Sequence, residues 1–332
     1  MHKKVYQILL HTKGSGGAIY EQYVTEVLKK SHYDVEEITL IEKQHISKIA
    51  KLASAFQKLK RFSFQIKNSH AVVIRNLAAL FFLRNGQKEV VIFHHYDPQS
   101  YPVLIKWFQK IVYFNLKRNK NKIDKIIVVS QYWKTFLEEE GFSRHKIDTL
   151  YNAFDMELYR QREEKKSHAF KKQYGLLSKP IVYIGNPQAI KGSPKVYALL
   201  KELDVHLVTS GKRYIEIPCI NLDLSFDEYI LLLQVSSLVV LMSQFKEGWN
   251  RVAHEAMLCK TAVIGSGKGG MAELLTEGKQ VICTEEELCN KVTTLLEDPS
   301  SLEKMAENGY SYAKQFTLEK FQEGWTRCLK NL

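Results

Sequence analysis

Short apolar runs alternate with longer amphipathic stretches along the whole chain. Residues 5–10 are a first such run, followed by a glycine cluster (Gly14, Ser15, Gly16, Gly17) and a helical pattern over 19–30. Residues 35–40, 71–74, 90–93 and 126–129 are further runs rich in β-branched residues. Each is too short for a helix and is bounded by turn or polar residues, so each predicts a buried strand. The rhythm restarts after residue 170. Runs at 181–184, 205–208, 238–241, 261–264 and 280–283 predict a second set of strands, and 318–332 predicts a terminal helix. Strands that alternate with helices predict parallel sheets made of βαβ units.

At 332 residues the chain exceeds what one hydrophobic core usually serves, so two domains are expected. The segment 160–172 is highly charged and lacks apolar periodicity at its start, which puts the seam there. The expected division is a first domain over 1–160, a second over 170–315 and a last helix over 316–332. The expected fold class is α/β, two open parallel sheets in one chain with a ligand cleft between them. In such sheets ligands sit beyond the carboxyl ends of the strands.

The segment that carries chemistry starts after the predicted strand 238–241. Glu247 and Glu255 are separated by seven residues in Glu-Gly-Trp-Asn-Arg-Val-Ala-His-Glu. Asn250 suits the cap of a helix over about 251–259. Glu247 then lies in the loop before the helix and Glu255 more than one turn inside it. A helix start offers free N–H groups and partial positive charge to a diphosphate, and an inner carboxylate can accept two hydrogen bonds from a ribose diol. The arrangement fits a nucleotide-sugar.

Continued through Glu255-Ala256-Met257-Leu258-Cys259, then Thr261-Ala262-Val263-Ile264 and Gly269-Gly270-Met271-Ala272-Glu273, this segment resembles the signature of the family 4 retaining glycosyltransferases. Weaker resemblance covers nearly the whole chain. Gly185 to Gly192 is similar to the family's lysine-bearing glycine loop, and Gly16 and Gly17 fall in its N-terminal glycine loop. The resemblance implies a GT-B architecture, α/β with two Rossmann-like domains whose parallel sheets face across a cleft, in which the second domain binds a nucleoside-diphosphate sugar, a UDP-sugar on family frequency. The first domain would bind a glycan or lipid-linked acceptor, and the terminal helix would return to it. Glu255 would hold the ribose. Glu247 would contact the transferred hexose beside the N–H groups of Gly248 and Trp249. Lys191 would neutralise the leaving diphosphate. Arg251 lies at the start of the same helix. His94 and His95 follow the strand 90–93, where the family has a histidine near the reacting sugar, and either one suits. The implied reaction is sugar transfer to a hydroxyl with retention of configuration, of the kind used in surface-polysaccharide synthesis. It runs on electrostatic stabilisation by Lys191 and the helix start. It needs no metal or cofactor, and the chain has no Asp-x-Asp triplet. Because Glu255 belongs to the nucleotide, Glu247 and Glu255 are not a glycosidase pair.

The chain departs from the signature at three places. Asn186 stands where the family has an arginine, so one cationic phosphate contact is missing or comes from elsewhere, Arg251 and Lys268 being the candidates. Asn250 and Lys260 replace glycines. Two other readings share the architecture: a nucleotide-sugar 2-epimerase and a non-catalytic GT-B binding subunit.

Charge adds a partner for the first half. Residues 1–150 hold 25 Lys and Arg against 13 Asp and Glu, an excess of 12 that equals the net charge of the whole chain. Such a field implies an anionic partner. Nucleic acid would account for the charge but not for the two glutamates. Residues 43–67 carry Lys43, Lys48, Lys51, Lys58, Lys60, Arg61 and Lys67 with no acid, and Ile46, Ile49, Ala53, Phe56 and Leu59 recur between them at near-helical spacing. A second stretch from Trp107 to Arg118 has the same character. Both suit an anionic membrane surface. No apolar run reaches the roughly 18–20 residues of a membrane-spanning helix. The N-terminus reads as a first strand instead of a signal peptide. The cysteines number five, an odd count with no CxxC pair, as expected of reduced thiols in the cytoplasm.

Overall fold

The structure is a computed structural model that describes residues 4–10, 16–41, 48–66, 71–83 and 86–332, without the side chains of 48–52. Gly14, Ser15, Lys43, Ile46 and Lys67 fall outside the described residues, and the side chains of Lys48, Ile49 and Lys51 do too. The chain forms two compact units, one of Met1–Ala153 with Leu318–Leu332 and one of Phe154–Thr317. The charged stretch 160–172 lies inside the second unit, where it includes a helix with Phe170 buried.

The first unit runs β1 (Lys4–Leu9), α1 (Gly16–Lys30), β2 (Asp34–Thr39), α2 (Lys48–Gln65), β3 (Val72–Asn76), β4 (Lys88–Phe93), α3 (Val103–Arg118), β5 (Lys125–Val128), α4 (Gln131–Glu139) and β6 (Ile147–Thr149). The strands are all parallel and lie in the order β2-β1-β3-β4-β5-β6. The direction of winding reverses between β1 and β3, so a crevice opens past the carboxyl ends of those two strands. Parallel sheets are covered on both faces, and Val72, Val73 and Ile74 of β3 are accordingly fully buried. Each such side chain contributes about 1.5–3 kcal/mol of burial. The apolar side of α2 packs inward, with Ala55, Leu59 and Phe62 against Ile8, Leu40 and Val73. The last helix of the chain, Leu318–Lys330, belongs to this unit and buries Phe321, Trp325, Cys328 and Leu329. Tyr20 of α1 meets Phe321 edge-on at 5.1 Å.

The second unit runs α5 (Glu164–Gln173), β7 (Ile181–Tyr183), α6 (Ser193–Leu200), β8 (His206–Ser210), β9 (Ile220–Leu222), α7 (Phe226–Val235), β10 (Leu238–Leu241), α8 (Arg251–Leu258), β11 (Val263–Gly265), α9 (Gly270–Glu277), β12 (Val281–Ile282), α10 (Glu285–Leu296) and α11 (Pro299–Ala313), with the terminal helix as α12. Its six parallel strands are ordered β12-β11-β10-β7-β8-β9, which puts the reversal between β7 and β10. The strands absent from the sequence reading, β6 and β9, have three residues each and lie at the sheet edges. Edge strands are covered less than central ones and so carry a weak apolar signal. Among the described residues, no helix is long and apolar enough to cross a membrane.

Candidate functional site

The β7/β10 reversal gathers most of the residues singled out in the second unit. Past β7 the chain turns at Gly185, whose φ of 77° is in the left-handed region. The loop that follows is tied to itself, because Ser193 Oγ donates to Asn186 O at 2.9 Å and accepts from Gln188 N at 3.1 Å. It closes with a short turn at Ala189–Lys191 and then Gly192. Gly192 has φ 81°, and a Cβ there would stand 2.0 Å from Met242 O, so only glycine lets the loop touch the end of β10. Lys191 is thereby held over the β10 loop. Its Nζ donates to Glu247 Oε1 at 2.8 Å and lies 4.8 Å above the Phe245 ring.

Glu247 is nearly buried, and the same Oε1 accepts from Ser243 Oγ at 2.6 Å and Asn250 Nδ2 at 3.3 Å. Its backbone is fixed too. Glu247 N donates to Lys268 O at 3.1 Å, and Gly270 N donates to Glu247 O at 2.8 Å. A Cβ on Gly269, which has φ 70°, would meet Glu247 O at 2.4 Å. The Gly269-Gly270 pair therefore lets the start of α9 brace the glutamate loop. Asn250 combines two jobs. It caps α8 by accepting from Ala253 N at 2.9 Å, and its second amide end holds Glu247. Its φ of 71° is one that asparagine tolerates better than most residues, and Lys260, at the other glycine position of the signature, has φ 57°. The indole of Trp249 points into the core, where Nε1 donates to His254 Nδ1 at 3.0 Å. His254 Nε2 in turn faces Ala313 O at 3.0 Å. A carbonyl can only accept, so the ring is neutral with its proton on Nε2. Burial pushes its pKa down to about 3. Gly248 is half-buried between Glu247 and Trp249.

Glu255 sits further along α8, also nearly buried. Tyr229 Oη of α7 donates to Oε2 at 2.8 Å, and Tyr159 Oη donates to Oε1 at 3.3 Å. Arg251 Nη2, one turn earlier on α8, reaches Oε1 at 3.3 Å while its guanidinium stacks on Phe154 at 4.3 Å. Burial, and next the Glu255 charge, hold the Tyr229 phenol well above its ordinary pKa, so it remains a donor. Asn186 Nδ2 donates to Ser210 O at 2.9 Å, bracing the β7 loop against the end of β8. It supplies a hydrogen bond where the signature has a cation. Ser243, Tyr159 and Tyr229 were not foreseen. Tyr159 and Tyr229 reach Glu255 from positions 96 and 26 residues away, and no local spacing reports that.

In the first unit the β1/β3 reversal gathers a different set. Gly16 opens α1, and a Cβ on Gly17 would lie 3.3 Å from His94 Nε2. His94 Nε2 is 3.3 Å from Glu21 Oε1, which also accepts from Asn76 Nδ2 at 3.1 Å. Gln7 Nε2 donates to Glu21 O at 2.6 Å, and Thr25 Oγ1 donates to Gln7 Oε1 at 2.7 Å. His95 lies instead beside Tyr101, with its Nε2 3.4 Å from Tyr101 Oη. Of the two histidines, His94 is the one against the glycine turn. Glu21 and Asn76 were missed as well. The available signal was an acid one helical turn after Gly17, on a face the helix buries. Among the described residues no group of three His, Cys, Asp or Glu side chains could hold a metal ion.

The described family Glycosyltransferase Family 4 matches residues 2–158, and the family Glycosyl transferases group 1 matches residues 223–312. An uncharacterized glycosyltransferase of Methanocaldococcus jannaschii is 28% identical over 227 residues, 63% of this chain and 60% of that protein. The chain thus spans about 60% of the length of this curated relative. Among solved structures, Anabaena HepE in complex with UDP-glucose superposes with a TM-score of 0.78 at 19% identity, over 100% of both chains. Sucrose-phosphate synthase from Thermosynechococcus elongatus superposes with a TM-score of 0.82 at 16% identity, over 99% of both chains. These likenesses give the fold as GT-B. Residues 2–158 and 223–312 are thus each similar to a glycosyltransferase family.

Proposed function

We propose that this protein transfers a sugar from a nucleoside-diphosphate sugar, a UDP-sugar in the first instance, to a hydroxyl of a glycan or lipid-linked acceptor, with retention of configuration. The observation that carries the reading is the ion pair of Lys191 and Glu247 at the β7/β10 reversal, with the buried carboxylate of Glu255 on the helix that follows. Cleavage of the donor develops negative charge on the diphosphate. Lys191 is the cation poised to take it, and α8 starts beside it. Glu247, held by Ser243 and Asn250, would bind the hexose hydroxyls, and Glu255 would bind the ribose diol once Tyr229 yields an oxygen. Arg251 or Lys268 would supply the second phosphate contact. This chemistry draws its positive charge from side chains and backbone, so the reading assigns no metal or cofactor. In the first unit His94 would serve as the catalytic histidine, with Gly16 and Gly17 admitting a ligand close to the backbone. HepE, whose complex holds UDP-glucose, shares the fold and supports a uridine donor. Surface-polysaccharide synthesis in the cytoplasm, at an anionic membrane face, is the setting this reading gives it, and five free cysteines suit that compartment.

A thermal-shift screen over nucleoside diphosphates and their sugars tests the donor, and NMR of the transferred anomer tests retention. Stabilisation by UDP followed by acceptor-dependent turnover is expected. No response to any nucleotide would refute the site, and turnover of the donor without acceptor would make the protein an epimerase.

A further inference from the structure

Helix α3 turns an apolar stripe to solvent. Leu104, Trp107 and Phe114 are 86%, 58% and 63% exposed, and Ile111 lies exposed between them. These residues recur at three- and four-residue steps along one side, while Val112, Tyr113 and Leu116 are buried on the other. The outward face of a helix on a globular protein is ordinarily polar, and a run of exposed large apolar side chains marks a surface with a partner. The chemistry around the stripe narrows that partner. From residue 98 to residue 123 there is no Asp or Glu, while Lys106, Lys110, Lys117, Arg118, Lys120 and Lys122 are all present. Lys110 Nζ lies 5.0 Å over the Trp107 ring. Glu140, which lies beside the helix, is paired with Lys117. Helix α2, the other basic amphipathic segment, directs Leu59 and Phe62 into the core, and of its described side chains Phe56 and Phe64 are the large apolar ones left exposed.

We propose that α3 is the face by which this protein lies on an anionic phospholipid bilayer. Leu104, Trp107, Ile111 and Phe114 enter the interface, and the lysines around them meet headgroup phosphates. A second copy of the chain would bring the same positive charge to the contact, whereas an anionic surface complements it. The inference rests on the membrane partner in the reading above and gives it a location.

Co-sedimentation with mixed phosphatidylglycerol and phosphatidylcholine vesicles, against pure phosphatidylcholine, tests it on the full chain. The native protein is expected to bind the anionic vesicles, less so as salt rises. The variant Leu104→Ser, Trp107→Ser, Ile111→Ser is expected to lose that binding more than about tenfold. Its unfolding temperature should be unchanged, since the altered side chains are exposed. Lys106→Gln with Lys110→Gln is expected to weaken binding to anionic vesicles alone. Absence of binding by the native chain, or equal binding by the triple variant, would overturn the proposal. So would a dimer that the triple variant disperses with no vesicle binding at all. Vesicle binding without nucleotide-sugar turnover leaves the docking face standing and removes the enzymatic reading. Turnover without vesicle binding does the reverse.

Discussion

Tyr229 Oη and Glu255 Oε2 are 2.8 Å apart, joined across 26 positions by helices α7 and α8 that flank the same strand. The carboxylate proposed for ribose therefore already holds a phenol donor, and in that reading a nucleoside would compete with this bond. Tyr229→Phe removes the competitor while keeping the ring. The exchanged bond is worth about 0.5–1.5 kcal/mol, so UDP should bind several-fold tighter in calorimetry, with a loss of stability of similar size. Glu255→Ala should abolish the same binding.

Lys191 Nζ shares Oε1 of Glu247 with Ser243 and Asn250. Its side chain is 37% exposed, so its removal leaves the fold intact and the glutamate still tethered. Lys191→Ala is expected to lower turnover by about a hundredfold to a thousandfold, the range for loss of one preorganised electrostatic contact. Steady-state kinetics with the best donor of the screen would measure it. A circular-dichroism melt should match the native protein.

Gly269 and Asn250 both occupy left-handed backbone, with opposite expectations. A Cβ at Gly269 would strike Glu247 O at 2.4 Å, so Gly269→Ala should cost about 2–4 kcal/mol and impair donor binding. Asn250→Gly relieves the conformation while losing the cap, so urea unfolding should report a change of less than about 1 kcal/mol.

His254 is buried as the neutral ring, with a pKa near 3 against about 6.5 when unfolded. Between those values the unfolded chain takes up a proton that the folded chain refuses. The stability this group contributes is therefore complete above about pH 6.5 and is lost as pH falls toward 3, at about 1.4 kcal/mol per unit. Denaturation series at several pH values should show a shallower acid slope for His254→Gln than for the native chain.

Much of this fold was legible along the chain. The central strands are apolar runs between turn residues, because a strand covered on both faces has to be. The loop from Glu247 and the helix from Arg251 to Glu255 could be read from a cap residue and seven-residue spacing. The excess charge of the first half needed only counting.

Tertiary structure decided the rest, because the deciding contacts join residues that no local period connects. Lys191 meets Glu247 across 56 positions, and Tyr159 meets Glu255 across 96. Asn186 turned out to brace Ser210, and His94 rather than His95 lies against Gly17. The edge strands β6 and β9 acquire their conformation from the neighbour they pair with. Two basic amphipathic helices looked alike in sequence, yet α2 turns Ala55, Leu59 and Phe62 to the core while α3 leaves Leu104, Trp107, Ile111 and Phe114 exposed. A hydrophobic stripe specifies that a helix has two faces, and only the sheet beneath it determines which one is buried.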